Sequence, residues 1–154
     1  MQARASLTVL PSLQINVSEE ALSTDEALLL GTYAEQESDT VWRLDREKAL
    51  AAVESGNQIA ELRAFLQARD AQPLPETVES FIITTARRAR ALVNKGMALL
   101  IECAEVETAD LVANHEHMQK LCLRVDERHL VVPVEAEEPF RKALRSLGYG
   151  MPRV

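Results

Sequence analysis

The chain has 154 residues, 47% hydrophobic and 27% charged, with 4% aromatics and a formal net charge of −7. This is a globular composition, and at such a length roughly 68–70% of the unfolded surface can be buried, so a core of Leu, Val, Ala and Ile forms without covalent staples. The acidic balance excludes a surface that binds polyanions everywhere, since phosphate contacts need clustered Lys and Arg; a local basic patch stays open. No run reaches the ~18 apolar residues of a membrane helix. Cys103 and Cys122 are the only cysteines. With no charged-then-apolar leader at Met1 to Arg4, they point to a reduced, cytoplasmic setting.

Leu13, Ile15 and Val17 alternate with polar residues, the period-two signal of a half-buried strand, and Pro11 marks its start or an edge. Ser23 to Glu26 has the form of a capping box. The helix it opens carries Ala27, Leu28 and Leu30 toward Tyr33 and Ala34. Gln36 to Asp39 is a polar turn, and Thr40 to Leu44 a short strand of good β-formers with Trp42 as a core anchor.

Leu44 to Ala89 then reads as three successive helices. Asp45 caps the first, Ala49, Leu50 and Val53 form its apolar stripe, and Gly56 ends it. Asn57 is placed to cap the second, whose buried face is Ile59, Leu62, Phe65 and Leu66. Pro73-Leu74-Pro75 breaks the chain, and Pro75 suits the first turn of the third helix. Glu76 and Glu79 near its start, with Arg87, Arg88 and Arg90 at its end, complement the helix dipole. Its inner face is Val78, Phe81, Ile82, Thr85 and Ala86.

Beyond residue 90 strands dominate. Asn94-Lys95-Gly96 between the apolar runs Ala91–Val93 and Met97–Cys103 reads as a hairpin turn. Glu107 to about His117 is a helix with Leu111 and Val112 inward. Leu121–Val125 and His129–Val134 are strands. A last helix from Glu137 buries Phe140, Ala143, Leu144 and Leu147 and stops at Gly148. The expected fold class is α+β, a small mixed or mainly antiparallel sheet packed against a helical layer. Residues 1–154 are expected to form a single domain, with a helix-rich lobe over 1–90 and a strand-rich lobe over 91–154.

Several pieces carry a family likeness: VLPSLQINV, TVWRLDREKALAAVESG, IAELRAFLQARDAQPLPETVESFI, ALLIECAEVETADLVANHEHMQKL, RHLVVP and FRKALRSLGYG. In order and spacing they resemble the helicase-associated domain found beside bacterial helicases, similar to the N-terminal domain of XPB-type helicases. The resemblance implies an α+β accessory domain that contacts DNA or docks on a helicase motor domain or another protein. The chain has no G-x-x-x-x-G-K-[ST] loop, so no ATP hydrolysis is expected of it alone. An excised module, a stand-alone relative and a parent that is not a helicase all stay open.

The densest basic cluster, Arg87, Arg88, Arg90 and Lys95, is the candidate nucleic-acid contact, at a helix end and a hairpin tip. The same residues also serve as dipole compensation and solubilising charge. Arg141, Lys142 and Arg145 read as a solvated face. His115, His117, His129, Cys103 and Cys122 lack the spacing of a zinc site, so no metal and no cofactor are expected. The acidic residues scatter over helix starts and turns, and no G-x-S-x-G elbow is present. Two functional expectations follow: a non-enzymatic module that guides DNA, or a protein-interaction module of a larger bacterial protein with no DNA contact. A hydrolase ranks below both.

Overall fold

A computed structural model of the protein describes residues 6–18 and 22–154. The reading made from Met1 to Arg4 lies outside the described residues. The fold is α+β, with two compact units that divide between Val93 and Asn94. Each has its own apolar core.

The first unit is built on a four-stranded antiparallel sheet. Its strands are β1 (Leu7–Val9), β2 (Gln14–Val17), β3 (Ala34–Gln36) and β4 (Val41–Leu44), in the order β1-β2-β4-β3. The opening stretch is thus two strands, not one. Leu10 to Gln14 closes a tight hairpin in which Leu10 N–H donates to Gln14 O and Leu13 N–H to Leu10 O. Leu13 has φ 71°. It occupies the left-handed position that glycine usually fills in such a turn, at a cost of about 1–2 kcal/mol. Leu13 therefore leaves the strand face on which its alternation placed it. Ile15, opposite Val9 on one side and Trp42 on the other, is fully buried.

Four helices cover this sheet: α1 (Thr24–Tyr33), α2 (Arg46–Glu54), α3 (Ala60–Arg69) and α4 (Glu76–Arg88). The capping box at α1 is complete, with Ser23 Oγ accepting from Glu26 N–H and Glu26 accepting from Ser23 N–H. Asp45 caps α2 through Lys48 N–H. The Lys48 ammonium reaches back to Gly31 O and Ala34 O, 3.1 Å from each, and so satisfies carbonyls at the end of α1. Gly56, at φ 100°, ends α2. Asn57 caps no following helix. Its Nδ2 donates to Ala52 O at the end of α2, and α3 has Ile59 at its N-cap position, with no side-chain cap. Ile59, Leu62, Phe65 and Leu66 are all buried, as their spacing predicts. Asp70 follows α3 and accepts from Val9 N–H on β1, 2.8 Å, and from Gln72 N–H, 2.9 Å.

The second unit holds a three-stranded antiparallel sheet, β5 (Ala98–Glu102), β6 (Leu123–Arg124) and β7 (His129–Pro133), in the order β5-β7-β6. Helices α5 (Val106–Asn114) and α6 (Glu137–Ser146) pack on one face over Leu130 and Val132, with Phe140 of α6 in the same core. The expected hairpin around Asn94-Lys95-Gly96 is absent. Asn94 Oδ1 accepts from Gly96 N–H in a local turn, but Ala91–Val93 forms no strand. Leu92 and Val93 stand in solvent, and β5 pairs with β7 instead. In α5 the inward residues are Ala109 and Val112, whereas Leu111 is exposed. The expected strand at 121–125 shrinks to two residues because Met118 to Cys122 closes a turn. Arg141 is not on a solvated face. It is only 9% exposed, donates to Met151 O, and has its Nε 3.7 Å from Glu137.

Among the described residues, no helix is long and apolar enough to cross a membrane, and no group of three or more His, Cys, Asp or Glu is placed to hold a metal ion.

Candidate nucleic-acid interface

The most useful fact about the first unit is which cations have partners. Arg43 pairs with Glu37, Lys48 with Glu35, Arg63 with Glu79, and Arg69 with Glu26. Among the described residues, Arg46, Arg87, Arg88 and Arg90 have no acidic partner within salt-bridge distance. All four are exposed.

Arg46 opens α2 and Arg88 closes α4, and both line one cleft of about 230 Å³. Its wall on α4 is a row of hydroxyls, Thr77, Ser80 and Thr84, spaced three and four residues apart on one helix face. Leu13, Leu50 and Phe81 make its apolar floor. Leu13 reaches the cleft from the strained hairpin turn, and Thr77 Oγ1 is committed to Pro11 O at 2.7 Å. The cleft is thus held by three separate elements, with Ser80 and Thr84 hydroxyls left to face a ligand.

Two guanidiniums beside hydroxyl donors over an apolar floor suit an oxyanion attached to an organic body. Arginine presents planar, charge-assisted donors to phosphate or carboxylate, and serine and threonine hydroxyls add neutral ones. Nothing in the cleft is a nucleophile paired with a base.

Of the residues expected from sequence, Arg88 lines this cleft. Arg87 lies about 100° round the helix from it, by the pitch of 3.6 residues per turn, and Arg90 sits in the turn after α4. Lys95 belongs to the second unit, in the turn before β5. Arg46, Ser80 and Thr84 were missed. The Thr77, Ser80, Thr84, Arg88 spacing was the available signal; Arg46 had none, because only folding brings α2 beside α4.

In the second unit several ionisable groups are held in local pairs. Asp126 accepts from Arg128 N–H and from His129, which hold its carboxyl below the ordinary range. Arg124 bridges to Asp110, and Arg128 to Glu102 at 3.0 Å. Burial pushes the Cys103 and Cys122 thiols up, so neither is an activated nucleophile. His115 Nδ1 accepts from His117 N–H and is spent on that turn.

Fold and site together define an α+β protein with a cationic, hydroxyl-lined cleft. No family model matches the chain, and no curated protein matches it either.

Proposed function

We propose that the chain is a non-enzymatic, cytoplasmic accessory domain of the helicase-associated kind, which holds a nucleic-acid backbone for a DNA-processing partner or motor domain. The observation that carries this reading is the cleft where the unpaired Arg46 and Arg88 flank Ser80 and Thr84. A phosphate seated between the two guanidiniums has four donor groups within reach, and Phe81 offers an apolar wall to the attached sugar. Arg87 and Arg90 extend the positive end of the unit along the backbone. With a net charge of −7, the rest of the surface repels the polyanion and confines it to this end.

The test is binding of labelled single-stranded and forked DNA across a salt series. Each phosphate contact on a single strand contributes a slope of about −0.7 in log K against log salt. Arg46→Ala with Arg88→Ala releases the one phosphate held between them and should flatten the slope by about 0.7. No salt-sensitive binding at low ionic strength, or a slope unmoved by the Arg46 and Arg88 pair, refutes the reading. The competing reading is a docking module without DNA contact. The exposed apolar residues of the second unit, Leu100 and Leu123 among them, favour it.

A further inference from the structure

We propose that β5 is the pairing edge of a two-fold dimer, with the second copy's β5 laid antiparallel against it about an axis at Leu100. This inference stands apart from the cleft, which lies in the other unit.

The ladder parity supplies the first argument. Val134 N–H donates to Met97 O at 3.1 Å, and Cys103 N–H to Arg128 O at 2.7 Å. In an antiparallel ladder bonded pairs alternate. The peptide groups of residues 97, 99, 101 and 103 therefore face β7, and those of Ala98, Leu100 and Glu102 face away from it. Among the described residues, no strand pairs on that outer side. Three donors and three acceptors stand in a straight row at the sheet's edge.

The edge also lacks the usual protections. Natural edge strands carry proline, an inward-pointing or central charge, or a bulge. Ala98–Glu102 has none of the first or third, and its only charge is at the end. Leu100, at its centre, is 70% exposed.

The occupant follows from self-complementarity. A two-fold axis at Leu100 sets Leu100 against Leu100, Ala98 against Glu102, and Leu99 against Ile101. No carboxylate then faces a carboxylate. On the outer face, Leu123 and Val131 are neighbours by register, and Val131 lies opposite Leu100. The operation joins these into one apolar stripe, Leu123-Val131-Leu100 continued by its mirror in the second copy. It also carries Lys95 of each copy toward Glu105 of the other. Both are exposed, and among the described residues neither has a salt-bridge partner within its own chain. A foreign strand would match the backbone row equally well, but only the second copy supplies the Lys95–Glu105 pair twice.

One short strand pair lies at the small end of interface sizes, so the dimer is weak and appears in the micromolar range. Sedimentation velocity on the full chain over about 1–500 µM should give a reversible shift toward twice the monomer mass. Hydrogen exchange should slow with concentration at the amides of Ala98, Leu100 and Glu102, while Leu99 and Ile101 stay protected throughout. Leu100→Lys, on a solvent-facing position, should keep the monomer's circular dichroism and abolish the shift. Lys95→Glu alone or Glu105→Lys alone should weaken association several-fold, and the two together should restore it. A monomer over the whole range, a dimer that survives Leu100→Lys, or a double charge swap that fails to recover overturns the proposal.

Discussion

Gly31→Ala should stabilise the first unit. Gly31 lies inside α1 with a negative φ, where glycine costs about 0.5–1 kcal/mol relative to alanine. A methyl built there meets Trp42 ring atoms at 3.7 and 4.0 Å, ordinary van der Waals distances, so nothing must move. The gain is therefore the propensity difference, about 0.5–1 kcal/mol, which for a unit of this size raises Tm by about 2–8 °C. Trp42 is the only tryptophan in the chain. Urea unfolding followed by its fluorescence reports this unit alone. The control is Gly56→Ala. Nothing lies within 4 Å of that methyl, but φ is +100°, so the same chemical change should cost about 1 kcal/mol or more through the backbone. A destabilised Gly31→Ala, or two variants that shift in the same direction, would refute the reasoning.

Three further outcomes are expected. Asp70→Ala removes the acceptor for Val9 and Gln72 N–H, and should cost about 1–3 kcal/mol in the same fluorescence assay. Phe140→Ala empties a fully buried site in the second core and should cost about 3–5 kcal/mol there; circular dichroism should record the loss while the Trp42 transition stays in place. Glu26 is held below its ordinary value of 4.5, chiefly by the Arg69 hydrogen bond and then by Ser23 N–H. Its folded value is the lower one, so its contribution is complete above the unfolded value and is lost as pH falls through the folded one. Glu26→Gln should flatten the acid side of the stability profile below about pH 4.5 and leave the neutral side parallel to the parent.

Local rules read much of this chain correctly. The capping box at Ser23, the Asp45 cap, the Gly56 stop and the stripe from Ile59 to Leu66 are each settled within a few residues, and each appears as expected. Some expectations failed on local turns and caps, as at Leu13, Asn57 and Leu121 to Val125; others depend on distant partners. β3 is three residues whose place comes from pairing with β4, and Ala91–Val93 stays irregular although it is apolar, because no strand among the described residues pairs with it. Arg141 reads as surface by its charge, yet the segment through Met151 folds over it. The candidate site divides the same way. Arg88 was visible as part of a basic cluster. Arg46 sits far from it in the chain, between an N-cap and an alanine-rich face, and gains its meaning only where α2 meets α4.

The chain between the end of α4 and the start of β5 has no regular structure, and Leu92, Val93 and Met97 along it are open to solvent. A protease would find its preferred kind of site there, an exposed stretch with no ladder to unzip. Nicking at this seam would sever one covalent bond while leaving both cores intact. The same property makes the seam a natural joint for recombination, since each half carries an apolar core of its own.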